Sequence, residues 1–187
     1  MATPAARAAM GGMTESPPSA GSAAASDHAA GAAPGVMVAP VRFGDLRGVA
    51  RLQRRAFRPR LAYTLTTLVV LWLLPQVRFV VARDAGRLVG CAIGDRQDNH
   101  SRVVSIAVEP DARRRGVATA LLRALEAALP AGNMILMVEA DNLAARALYE
   151  REGYARVGDA RDYYGRGLDG IWMQKRRTTL ATPKFWV

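Results

Sequence analysis

From residue 36 onward the chain is a series of short apolar runs whose period switches between that of strands and that of helices. Residues 36–41 predict a first strand, after which Asp45 can cap a helix whose apolar positions Leu46, Val49, Leu52 and Ala56 recur at three- and four-residue steps and which ends near 57–59. Residues 61–74 are apolar with threonines interspersed. That run is shorter than the roughly 20 residues a membrane-spanning helix requires, so it predicts a buried helix. Residues 78–83 and 87–93 are rich in β-formers and are separated by Asp84-Ala85-Gly86, a hairpin signal. A further strand is expected over 102–108. A helix over 117–129 gathers Val117, Ala120, Leu121, Ala124 and Leu125 on one face. A strand over 134–138, a helix over 143–151 closed by Gly153, and strands over 154–161 and 170–175 complete the series. This order predicts an α/β fold, with helices layered on a mixed sheet.

Composition divides the chain unevenly. Residues 1–35 are Ala, Gly, Ser and Pro with few large apolar side chains, a content too poor in burial to offset the entropy of ordering. They are read as a disordered tail, residues 36–177 as one domain, and 178–187 as a C-terminal tail. The tail has no charged stretch followed by a continuous run of large apolar residues, so it does not read as a secretory signal. Met10, Met13 and Met37 are alternative starts. The single cysteine, Cys91, excludes an intrachain disulfide and a Cys-rich metal site, which fits the reducing cytoplasm; within an apolar run it reads as a small buried hydrophobe. The net charge of +10 is almost wholly arginine. Its densest cluster, Arg51, Arg54, Arg55, Arg58 and Arg60, has helical spacing and no interleaved aromatics, the pattern of a solvated helix face rather than of an RNA platform.

The chemistry concentrates in Val108-Glu109-Pro110-Asp111-Ala112-Arg113-Arg114-Arg115-Gly116-Val117-Ala118, a strand that passes through a basic, glycine-bearing turn into a helix. Unpaired N–H groups at a helix start point one way, the helix dipole adds positive potential, and glycine lets the backbone approach a phosphate closely. No Gly-Lys-Ser/Thr follows and no paired glycines precede, which excludes a Walker turn and a dinucleotide fingerprint.

This stretch, with Leu121-Leu122 after it, resembles the Arg-x-x-Gly-x-Ala pattern of the GCN5-related N-acetyltransferases (GNAT). Asn142-Leu143-Ala144-Ala145-Arg146-Ala147-Leu148-Tyr149-Glu150-Arg151-Glu152-Gly153-Tyr154 resembles the same family's second half. Arg161-Asp162-Tyr163-Tyr164 with Asp169-Gly170-Ile171-Trp172-Met173 is similar to the ending of the protein N-terminal acetyltransferases of the RimI type, except that Gly170 stands where alanine is usual. The resemblance spans 36–177 and implies a mixed, mostly antiparallel sheet splayed between two central parallel strands, with helices on both faces. It implies acetyl-CoA as cosubstrate, without a metal, and an amine acceptor.

By the same resemblance, the backbone of Ile106, Ala107 and Val108 binds the pantetheine arm. The turn Arg113, Arg114, Arg115, Gly116, Val117, Ala118 and Thr119 holds the pyrophosphate, and Asn142 contacts CoA or caps its helix. Tyr149 is the expected acid for the departing thiolate, and Tyr163 and Tyr164 line the acceptor groove. The usual glutamate is missing: alignment on Asn142 puts Met137 in its place. Strand alternation keeps Glu139 on the same face about 7 Å further on, which makes it the candidate base; Glu109 is a second. The N-terminal α-amine of a peptide or protein, a ribosomal protein among them, is the expected acceptor. A small amine, a non-catalytic acyl-CoA-binding role, and RNA binding through the arginine helix and residues 175–187 are the alternatives. No membrane partner is expected.

Overall fold

The computed structural model describes residues 35–177, so the expectations for 1–34 and 178–187 lie outside the described residues. The chain forms β1 (Val36–Pro40), α1 (Leu46–Ala56), α2 (Leu65–Leu73), β2 (Val77–Asp84), β3 (Arg87–Arg96), β4 (His100–Val108), α3 (Val117–Ala128), β5 (Gly132–Glu139), α4 (Leu143–Arg151), β6 (Ala155–Ala160) and β7 (Gly170–Arg177). The strands make one sheet in the order β1-β2-β3-β4-β5-β7-β6. Only β4 and β5 are parallel among these neighbours. Ala85 and Gly86, which join β2 to β3, both have positive φ (47° and 81°), the twist a two-residue hairpin needs.

Each face of the sheet carries a core. On one face α3 buries Val117, Leu121, Leu122 and Leu125 against strand residues such as Val80, Ala92, Val103 and Leu136, and α4 adds Leu148 and Tyr149. The helix lies close to β3 because that strand offers glycines beneath it: a Cβ on Gly90 would stand 2.8 Å from Leu121 Cδ1, and one on Gly94 2.9 Å from Leu129 Cδ1. On the other face α1 buries Leu46, Val49 and Leu52 together with Leu68 of α2. Among the described residues no helix is long and apolar enough to cross a membrane.

Two local expectations are corrected. The segment 61–74 is not a buried helix: α2 starts only after Thr64, whose hydroxyl accepts the Thr67 N–H at 3.2 Å. Only Leu68 is buried, while Leu65, Val70, Trp72 and Leu73 are exposed. The helix packs mainly on α1 and β2, and Trp72 also meets Phe43, their ring centroids 5.6 Å apart, so among the described residues much of its apolar surface stays exposed. Asp45 does not cap α1 through its side chain. A 3-10 turn, Phe43–Asp45, precedes the helix, and the carboxylate turns back to accept the Arg42 N–H at 2.8 Å and to pair with Arg83 at 2.5 Å.

The sheet opens in its middle. β4 and β5 stay paired only from His100 with Asn133 to Val103 with Leu136. At that point β4 bulges: Ile93 of β3 faces Ser105 while Gly94 faces Val103, leaving Val104 as an extra residue. A bulge bends its strand and increases its twist, which carries the rest of β4 away from β5. It also resets the faces. Val103, Ile106 and Val108 pack on the α3 side, whereas Val104 and Ala107 pack on the α1 side.

Candidate active site

The opening between the far ends of β4 and β5 is a cleft of about 950 Å³ that runs through the sheet and has a wall on each face. On the α3 face the wall is β4 itself, the turn after it and the first turn of α3. The turn passes through Pro110–Ala112 and reaches Gly116 at φ 79°, with Arg114 also left-handed at φ 58°. Left-handed residues alternating with ordinary ones can turn successive N–H groups toward a common anion, and Val117 then starts a helix of 12 residues whose N-terminus has the same polarity. Ala112 and Ala118 keep this wall low.

Of the expected cofactor residues, Ile106, Ala107, Val108, Arg113, Arg114, Gly116, Val117, Ala118, Thr119 and Asn142 all border the cleft. Arg115 does not: its guanidinium is held by Asp84 at 2.7 Å, back toward the β2–β3 hairpin. Asn142 caps α4, its side-chain oxygen accepting the Ala145 N–H at 3.1 Å, while still facing the cleft. Tyr149, two turns along α4, is also on this wall, buried, with its ring edge-on to Tyr154 at 5.7 Å. Burial pushes its phenol up to about 12.

A different set of side chains lines the α1 face. In β5, Met134, Leu136 and Val138 point into the α3-side core, so alternation sends Met137 and Glu139 to the α1 side, where both border the cleft. Met137 lies opposite Trp172 of β7 and Glu139 opposite Gly170. Tyr163 packs edge-on to Tyr164 (5.0 Å) and to Trp172 (6.1 Å), and the Tyr164 hydroxyl donates to the Met137 carbonyl at 2.9 Å. Burial raises the pKa of both tyrosines.

The two departures from the expected pattern meet here. A Cβ on Gly170 would stand 2.5 Å from Met137 Sδ and 3.2 Å from its Cγ. The missing methyl at 170 therefore makes the space that the thioether of 137 fills.

Glu109, the second candidate base, is neither on the surface nor on the cleft wall: it is buried and paired with Arg55 at 3.2 Å. The five-arginine cluster is likewise not one helix face, because α1 ends at Ala56; Arg58 and Arg60 lie beyond it and border the cleft. Tyr63, Arg102 and Trp172 also line the α1-side wall without having been singled out by sequence. Arg102 is fixed by Asp95, Nη2 to Oδ2 at 2.6 Å and Nε to Oδ1 at 3.2 Å. Tyr63 lies in the connection between α1 and α2, where no periodicity marks it. Cys91 is buried, its thiol raised to about 12 by burial, and takes no part in the cleft.

The sequence profile of the acetyltransferase (GNAT) family matches residues 46–154, from the first turn of α1 to the end of α4 and Tyr154. An uncharacterized N-acetyltransferase of Methanocaldococcus jannaschii is 31% identical over 143 residues, which take in 74% of this chain and 90% of that protein. The N-alpha-acetyltransferase RimI of Mycobacterium tuberculosis is 38% identical over 106 residues, 54% of this chain and 67% of the relative. Among solved structures, the ribosomal-protein-S18-alanine N-acetyltransferase of Escherichia coli matches with a TM-score of 0.70 at 24% identity, over 81% of this chain and 99% of its own.

Proposed function

The chain belongs to the acetyltransferase (GNAT) family, and we propose that it transfers acetyl from acetyl-CoA to the α-amino group of a polypeptide, in the manner of the RimI-type enzymes it resembles. The observation that carries this reading is the cleft itself, which passes through the sheet and joins an anion-binding turn on one face to a chamber of tyrosines and one carboxylate on the other. A donor with a phosphorylated handle suits the first face. An extended acceptor suits the second, between the α1–α2 connection and the β6–β7 loop.

In this reading the pyrophosphate rests on the amides from Arg114 to Thr119 and the pantetheine arm follows Ile106, Ala107 and Val108. The amine nitrogen attacks the thioester carbonyl, the C–S bond breaks, and the thiolate takes the Tyr149 proton. Burial that raises the phenol to about 12 also raises a thiol placed beside it, so donor and acceptor of that proton stay comparable. Glu139, directly or through water, takes the proton that the acceptor ammonium loses before attack, and the proton released as the nitrogen becomes an amide restores the Tyr149 phenol through water. The demand on that base is small, because a protein α-amino group titrates at about 7.7 to 8.0 against about 10.4 for lysine. The reading places the activity in residues 36–177 and in the cytoplasm.

The test is CoA release from acetyl-CoA with a mixed set of short peptides, beside a panel of small amines. Turnover on free-amino peptides and not on N-blocked ones is expected. Turnover on small amines alone would move the acceptor to a metabolite; acetyl-CoA binding with no turnover on anything would leave a binding module.

A further inference from the structure

The cleft carries two groups of arginines, on opposite faces of the sheet, and the donor accounts for only one. Arg113 and Arg114 stand at the turn before α3, where phosphates are expected. Arg58 and Arg60 stand on the other side, in the connection that follows α1 and leads to Tyr63. Both α1 and α2 pack on the face away from α3, so phosphates resting at the α3 N-terminus are separated from Arg58 and Arg60 by the sheet.

Other charges on this side do not cancel them. Arg102 is tied to Asp95, and in the β6–β7 loop Asp162 and Asp169, which accept the backbone N–H groups of Gly167 and Asp162, do not border the cleft. Arg54 adds a further exposed cation beside Tyr63 and Thr64. Glu139 is the carboxylate that borders the chamber itself, and it lies on β5, where the acceptor's own ammonium must arrive. Arg58 and Arg60 are exposed, and neither makes an ion pair among the described residues.

We propose that Arg58 and Arg60 select acceptors whose N-terminal residue is followed by carboxylates, so that the enzyme's substrates are polypeptides with acidic N-terminal segments. This deepens the peptide reading above and rests on it. The arrangement is a dipole that matches such a segment: Glu139 faces the amine, and the arginines at the rim face the next residues as the chain runs outward at about 3.3 to 3.6 Å per residue. A basic segment meets like charge at the rim, which costs affinity and slows encounter.

The experiment compares three peptides that differ only at their second to fourth residues, Ala-Asp-Asp-Asp, Ala-Ser-Ser-Ser and Ala-Lys-Lys-Lys starts, with wild type and with the exposed double variant Arg58→Glu/Arg60→Glu. The expected kcat/KM ranking is acidic over neutral over basic, with about tenfold between the extremes, carried mainly by KM. That size corresponds to a few exposed charge pairs, each typically 0.2 to ~1 kcal/mol. The gap should shrink as salt rises to 0.5 M, where the screening length is down to about 4 to 5 Å, and the double variant should reverse the ranking. Turnover with equal or basic-favouring kcat/KM overturns the selectivity and leaves the peptide reading standing. An acidic preference that the double variant leaves unchanged overturns the assignment to these arginines. No turnover on any of the three overturns the peptide reading and this inference with it.

Discussion

Gly170→Ala tests whether Met137 and Gly170 are a fitted pair. The added methyl would sit 2.5 Å from Met137 Sδ and 3.2 Å from both Met137 Cγ and Tyr163 Cβ, whereas carbon contacts relax near about 3.5 to 4.0 Å. The sulfur is near the end of a flexible side chain and can swing aside; the Tyr163 Cβ is fixed to its backbone and can give little. Overpacking of this kind costs about 1 to 3 kcal/mol, offset by about 0.5 to 1 kcal/mol because alanine is better than glycine within a regular element. We expect a net loss of about 0.5 to 2 kcal/mol. Met137→Ala removes both offending atoms, so in the double variant the methyl meets only Tyr163. The coupling energy from a double-mutant cycle, measured by urea unfolding of the four proteins, should be at least about 1 kcal/mol, in the range of residues in contact. Turnover should follow in the same sense: Gly170→Ala moves Met137 and Tyr163 in the acceptor chamber and raises KM for the acceptor, leaving KM for acetyl-CoA unchanged. Additivity within about 0.3 to 0.5 kcal/mol would refute the pairing.

Three further outcomes follow from the same structure. Tyr149→Phe should lower kcat by about 10² to 10⁴, the usual reach of a positioned acid, without weakening acetyl-CoA binding measured by calorimetry; an unchanged kcat removes Tyr149 from the chemistry. Because burial raises this phenol to about 12, it stays protonated until pH approaches that value, so the kcat profile should rise through the amine's titration and show no descending limb between pH 8 and 10 (roughly the free α-amine and phenol values) that the phenylalanine variant abolishes. Glu126 ties α3 to β7, accepting from Tyr154 Oη at 2.8 Å and Lys175 Nζ at 2.7 Å; Glu126→Ala should cost about 3 kcal/mol as the loss of one partner of a largely buried pair, a fall in Tm of about 6 to 12 °C, and a fall below about 2 °C would show the pair to be dispensable.

How much of this was legible in the sequence depended on whether a residue's neighbours in the chain are also its neighbours in function. The turn from Arg113 to Thr119 and the helix from Asn142 to Tyr149 are continuous, so their spacing carries their geometry. The faces of β5 were also legible, since alternation alone puts Met137 beside Glu139. The bulge at Val104 was not, because an apolar run such as 103–108 reads the same with or without an extra residue, although the bulge decides where the sheet opens. Arg58 and Arg60 share the spacing of the arginines on α1, and Tyr63 the apolar run of α2, but all three lie in the connection between these helices, and only the tertiary fold brings them to β4 and β7. For α2, composition reported apolarity correctly, but burial depends on what lies outside the helix, and that information is not local.

The divergence of β4 from β5 also creates a hazard. Beyond Val103 and Leu136 two strands in the middle of a sheet present unpaired edges, the kind of surface that recruits a foreign strand and seeds aggregation. Sheets usually have this problem only at their flanks, where lysine or proline can guard it. Here the edges are recessed between α3 and α4 on one side and the aromatic loop on the other, and the Tyr164 hydroxyl occupies one of the exposed carbonyls, that of Met137. The walls of the cleft, on both faces of the sheet, flank these edges, and so position within the fold does part of the guarding that charge does elsewhere.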